Sequence, residues 1–156
     1  MLHYMTGRVK IVAIILLAMS SSVVTTAFAQ ENGAGTVRWT FKAGGWISAA
    51  PAIAANDTIY VGSRDKGLYA LTRKGKVKWL FKMNGFISTS PAIARNGTLY
   101  VSDNNKLYAL TPKGKLKWTF KGGSSFSVPA LGPNGTIYIG NSDNKLYVLT
   151  PEGKLK

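Results

Sequence analysis

Carboxylates, imidazoles and thiols do most protein chemistry, and this 156-residue chain has few of them. It carries six carboxylates (Glu31, Asp57, Asp65, Asp103, Asp143 and Glu152), one histidine, His3, and no cysteine. Disulfides and thiolate metal sites are therefore excluded. His3 lies in a leader expected to be removed, so imidazole chemistry is not expected of the mature chain. Two carboxylates at a fixed separation could act as acid and base, and a ring of oxygens could hold calcium. Yet Asp57, Asp65, Asp103, Asp143 and Glu152 fall in turn sequences, where Asp in particular is favoured for bonding its own backbone. None is spaced as a dyad. The expectation is no catalytic residue, no metal and no cofactor.

The abundant reactive group is the ammonium. There are 20 Lys and Arg against 6 acids, a net charge of +14. Lys76, Lys78 and Lys82 recur as Lys115, Lys117 and Lys121, and begin again at Lys154 and Lys156. They could form an anion-binding face for an envelope polymer, a lipid headgroup or a nucleic acid. They could equally mark the outer edge of a sheet, where lysine blocks edge-to-edge pairing.

These lysines sit in a repeat. Trp39, Trp79 and Trp118 are 40 and 39 residues apart, and so in near step are Pro51, Pro91 and Pro129, Tyr60, Tyr100 and Tyr138, and Tyr69, Tyr108 and Tyr147. A period near 40 indicates a propeller or array. The second repeat reads as four strands. Strand A spans 90–94, and Asn96-Gly97 then signals a two-residue type I′ hairpin. Strand B spans 98–102, and Asp103-Asn-Asn105 makes a polar turn. Strand C spans 106–111, and Thr111-Pro-Lys-Gly114 makes a type I turn. Strand D spans 115–121, with Leu116, Trp118 and Phe120 on one face and Lys115, Lys117, Thr119 and Lys121 on the other. The fold class is thus all-β, a partial β-propeller of about three four-stranded antiparallel blades. A lone D strand at 37–42 precedes blade 1 (about 48–82), blade 2 (about 88–121) and an incomplete blade 3 (about 127–156).

The unit Leu107-Tyr-Ala-Leu-Thr-Pro-Lys-Gly-Lys-Leu-Lys-Trp118, followed by Ser-x-Pro-Ala and Asn-Gly-Thr-x-Tyr, resembles the PQQ-like, or quinoprotein-type, propeller repeat across 37–156. The resemblance implies that Trp39, Trp79 and Trp118, with the turn glycines Gly75, Gly114 and Gly153, dock one blade on the next. Thr72, Thr111 and Thr150 stand where the family motif has Asp, and the turn is one residue shorter. Relatives include quinone-dependent dehydrogenases, an outer-membrane assembly lipoprotein and propellers without known chemistry, with about six to eight blades in a complete ring.

Arg8 and Lys10, the apolar run Ile11 to Met19 and Ala27-Phe-Ala29 read as a signal peptide over 1–29, followed by a linker over 30–36. Such a leader places the protein outside the cytoplasm, in the periplasm, at the cell surface or secreted. It leaves no membrane span after cleavage and argues against nucleic acid as a partner. Trp46 and Phe86 fall in D-to-A loops at one mouth of the blades, where exposed aromatics meet partners. The combined expectation is a non-catalytic binding or scaffold module, a piece of a longer propeller. Its partner would be a protein or an anionic envelope polymer. The alternatives are part of a quinone-dependent dehydrogenase, an outer-membrane-assembly propeller, or a homodimer of three-blade halves closing a six-blade ring.

Overall fold

A computed structural model describes residues 35–156; the leader and most of the linker lie outside the described residues. Blade 1 is β1 (Ala52–Ile53), β2 (Ile59–Gly62), β3 (Gly67–Leu71) and β4 (Val77–Lys82). Blade 2 is β5 (Ala92–Ile93), β6 (Leu99–Ser102), β7 (Lys106–Leu110) and β8 (Leu116–Lys121). The third sheet has β9 (Ala130–Leu131), β10 (Ile137–Asn141) and β11 (Lys145–Leu149). Strands neighbour one another in sequence order within each sheet. In the third sheet a single bridge, Leu149 to Leu155, starts a fourth strand.

Strands B and C are short apolar runs because both of their faces are buried. Leu107 and Tyr108 are adjacent in β7 yet belong to different cores. Tyr60, Leu68 and Ala70 of blade 1 pack with Leu99, Val101, Tyr108 and Leu110 of blade 2. Tyr100, Leu107 and Ala109, on the other face of blade 2, pack with Ile137, Ile139 and Leu149 of blade 3. Side chains alternate across a strand, so one parity faces the preceding blade and the other the following one. Burial of this apolar area is the main force holding blade to blade.

Three local expectations are corrected. The A–B connection is not type I′. Gly97 N–H bonds Ala94 O and Ala94 N–H bonds Thr98 O, and of the turn pair only Gly97 has positive φ, at 79°. This is the three-residue loop that ends in one left-handed residue, so Asn96 is free to cap the turn, accepting the Thr98 N–H at 3.0 Å. The A strands are only two residues long, not five. Their ladder with the B strand closes after two pairs, Ala92 with Tyr100 and Ile93 with Leu99. Strict alternation in strand D also fails. Ala109 pairs with Trp118 but Leu110 pairs with Leu116, so Lys117 is a bulge. A bulge sets two residues against one, and here Lys117 shares the Trp118 side while Leu116 takes the opposite one. The Thr111-to-Gly114 turn does form, closed by Gly114 N–H to Thr111 O at 2.9 Å.

Candidate functional site

Three tryptophans and three glycines meet pairwise, each tryptophan reaching the C–D turn of the next blade; Trp39 does so from 37–42, which, against expectation, is in no sheet among the described residues. Trp39 Nε1 donates to Arg73 O at 3.0 Å. Trp79 Nε1 donates to Pro112 O at 3.1 Å, and Trp118 Nε1 to Pro151 O at 3.0 Å. The glycine beside each acceptor carries the ring. A Cβ on Gly75, Gly114 or Gly153 would lie 2.6, 2.8 or 2.7 Å from the indole, closer than real contacts allow. Their φ angles are 77°, 76° and 82°, in the left-handed region that glycine enters without penalty. Tyr60 and Tyr100 back the rings of Trp79 and Trp118, with centroids 5.7 and 5.8 Å away.

The B–C turn aspartates form a second repeated junction, one that sequence reasoning located only as turns. Asp103 is buried. It accepts the Tyr108 hydroxyl at 2.8 Å, the N–H groups of Asn105 and Lys106, and the N–H of Gly85 in the D–A loop at 3.0 Å. Asp65 accepts Tyr69, Gly67 and, from the preceding loop, Gly44. Asp143 accepts Tyr147 at 2.6 Å and Lys145 N–H, with no glycine bond from its loop among the described residues. Burial works against the charge on Asp65, but the Tyr69 hydroxyl, the Gly44 and Gly67 amides and Lys82 hold its carboxyl below the usual range. Hydrogen bonding from Tyr147 lowers Asp143 in the same way. Burial, then the bond to Asp103 and its charge, push Tyr108 up to about 12. The signal was present in the sequence as Asp followed four or five residues later by Tyr, but the glycine partner lies in another blade.

The lysine row is not a uniform free face. Lys78 Nζ donates to Thr58 Oγ1 at 2.9 Å, Lys117 to Thr98 at 3.3 Å and Lys156 to Thr136 at 3.0 Å. Lys82 Nζ donates to Asp65 O at 3.1 Å. The ammonium groups of Lys76, Lys115 and Lys121 make no bond among the described residues, and these lysines are exposed. The bulge explains the bonds of Lys78 and Lys117 to threonine, because it turns one lysine of each D strand back across the blade.

Trp46 and Phe86 are 75% and 49% exposed. Both lie in D–A loops and so at the same end of the blades as the B–C turns. Trp46 is held rather than loose: Arg64 N–H bonds its carbonyl at 2.9 Å, and the Arg64 guanidinium lies 5.3 Å from its ring centroid. At the opposite end, a groove of about 470 Å³ opens between the A–B turns of blades 2 and 3, with Arg95 at its edge. No three His, Asp or Glu side chains come together among the described residues. No helix there is long and apolar enough to cross a membrane.

The family model described as outer membrane protein assembly factor BamB matches residues 20–156. The chain belongs to this PQQ-type propeller family. Among solved structures, BamB from Moraxella catarrhalis superposes with a TM-score of 0.67 at 19% identity, covering 77% of this chain and 39% of that one. A protein of unknown function from Bacteroides caccae superposes with a TM-score of 0.56 at 15% identity, covering 67% of this chain and 46% of that one. Identities this low carry the fold alone. The BamB-family chain therefore spans less than half the length of either structure. No curated protein matches it.

Proposed function

We propose that this BamB-family chain is a non-catalytic binding module of the cell envelope, of the outer-membrane assembly kind, which engages a protein partner through the D–A mouth. The Trp–Gly junctions serve to dock the blades and hold that mouth in place. The observation that carries the reading is Trp46. A large aromatic side chain is left three-quarters exposed while its backbone and its ring are both fixed by Arg64. Tryptophan and arginine are among the residues enriched at the hot spots of protein interfaces. The carboxylates favour a non-catalytic role, because Asp65, Asp103 and Asp143 already spend their oxygens on tyrosine and amide donors.

The test is photo-crosslinking from a benzophenone side chain placed at position 46 or 86 in the intact envelope. A crosslink to an outer-membrane β-barrel or its assembly machinery is expected from both positions. It should be lost in Arg64→Ala for position 46. Crosslinks to no protein, or equal yields from a benzophenone placed in the A–B turns at the other end, would sink the proposal.

A further inference from the structure

The two ends of the blades differ in charge. The A–B and C–D turns lie at one end, the B–C turns and D–A loops at the other. At the B–C end the carboxylates of Asp65, Asp103 and Asp143 are occupied by tyrosine and amide donors, and Asp65 and Asp143 also lie 3.9 and 3.6 Å from the ammonium groups of Lys82 and Lys145. The C–D end is far more basic. The turn of blade 1 runs Arg73-Lys-Gly-Lys-Val-Lys78, that of blade 2 runs Pro112-Lys-Gly-Lys-Leu-Lys117, and Arg95 joins them from an A–B turn. Asp57 and Glu152 are the acids at this end. The one ion pair that either makes among the described residues is Asp57 with Arg73, at 3.7 Å.

An apolar side chain stands between two lysines in each of these turns. Val77 is 51% exposed and Leu116 49%. Leu116 decides the matter, because blade 2 has a described blade on either side and its side chain is still half in water. The bulge produces the arrangement. It sends Lys117 to the Trp118 side, where Nζ meets Thr98 Oγ1 at 3.3 Å, and leaves Leu116 on the other. Lys78 meets Thr58 in the same way at 2.9 Å. An ammonium bonded to one hydroxyl keeps two N–H groups, and Thr58 and Thr98 directly follow the A–B turns, so these charges are held at the turn end. Protection of a strand edge does not account for the pattern, since Lys74, Lys113 and Arg95 lie in turns. The bond from Trp79 Nε1 to Pro112 O ties the two blades together here, so the Lys-Val-Lys and Lys-Leu-Lys segments sit at the same point of adjacent blades.

We propose that the C–D end of the blades docks on a lipid bilayer rich in anionic headgroups. Binding at a bilayer surface grows with the apolar area buried and with the attraction of cations to anionic lipid, and this end supplies both, interleaved. The lysines meet the headgroup phosphates while Val77 and Leu116 enter the boundary between headgroup and acyl chain. A soluble polyanion would engage the lysines and leave the apolar side chains between them unused. The D–A mouth, at the other end of the blades, then faces away from the bilayer and stays open to a protein. The docking surface goes beyond that partner and does not depend on it.

The chain has no cysteine, so an environment-sensitive fluorophore can be attached at one chosen position. Leu116→Cys and Phe86→Cys are a matched pair, each replacing a side chain 49% exposed, at opposite ends of the blades. With vesicles of equal phosphatidylglycerol and phosphatidylcholine, the label at 116 should brighten and shift to the blue, and the label at 86 should not; vesicles of phosphatidylcholine alone should move neither. In unlabelled chains, Lys76→Gln with Lys115→Gln should weaken flotation with the anionic vesicles about 25-fold, about fivefold for each lysine. Lys42→Gln with Lys121→Gln, at the D–A end, should change it less than about twofold. All four lysines are exposed, so the fold should survive. Chains secreted through their own leader are used, and any leader retained is common to all of them. No binding to the anionic vesicles, equal responses of the two labels, or equal losses from the two lysine pairs would overturn the proposal. So would binding of soluble polyphosphate with no response of the label at 116 to vesicles, which would make this end a site for a soluble polymer.

Discussion

Replacing Gly114 by alanine should cost about 2–4 kcal/mol, and most of that should come from Trp79. The left-handed backbone at φ 76° costs an alanine about 1–2 kcal/mol. Alanine's lower unfolded-state entropy returns less than about 1 kcal/mol of this. The new Cβ would lie 2.8 Å from Trp79 Cδ2, where carbon atoms prefer about 3.5–4.0 Å. The indole must therefore retreat by about 1 Å, which stretches its 3.1 Å bond to Pro112 O beyond useful range. That loss is worth about 1 kcal/mol. The gap also forfeits a quarter to a half of the dispersion contacts on that face, in a core that Trp79 shares with Tyr60 and Leu110. Gly75→Ala is the matched control. Its φ is 77° and its Cβ would lie 2.6 Å from Trp39, so the strain is the same. Trp39, however, is 40% exposed and its segment is in no sheet among the described residues, so it can move away. Urea unfolding followed by tryptophan fluorescence reads both variants. We expect Gly114→Ala to lower the midpoint by roughly 1–2 M and Gly75→Ala to lower it by less than half as much. Equal shifts, or a Gly114→Ala cost below about 1 kcal/mol, would refute the docking argument.

Asp103→Asn should cost about 2–3 kcal/mol, because a buried carboxylate that accepts Tyr108 and Gly85 N–H together is replaced by an amide that cannot accept from all of them. Asp143→Asn, at the junction without the glycine bond, should cost less than half of that, and thermal unfolding of the two variants distinguishes them. Stability should also fall as pH rises from 10 to about 12. A tyrosine whose folded pKa lies above its unfolded one holds its proton longer when folded, so its contribution is complete below pH 10 and lost above about 12. Tyr108 should be the last tyrosine to titrate by phenolate absorbance in the folded protein. At the acid end the sign reverses. The lowered carboxyls of Asp65 and Asp143 contribute stability above the ordinary carboxylate pKa and lose it as the pH drops below.

The sequence alone determined the architecture, because a repeat states its unit many times over. Four aromatic and proline landmarks held one period, and β-forming runs separated by Gly, Asn and Pro turns could pair only with their neighbours. Even the C–D turn was legible, since Pro and Gly each admit few backbone angles. Properties that depend on a second segment were not legible. The type of the A–B turn was settled by which carbonyl the Ala94 N–H and the Gly97 N–H could each reach, not by the Asn-Gly pair itself. The bulge at Lys117 depends on register against β7, and it decides which lysines turn back onto threonine and which stay in solvent. Asp103 reads as a turn residue, but only packing brings Gly85 and Tyr108 to its oxygens. The exposure of Trp46 follows from what the neighbouring loops and strands do and do not cover. Local chemistry chose the strands and turns; the contacts between blades chose which side chains were left to meet another molecule.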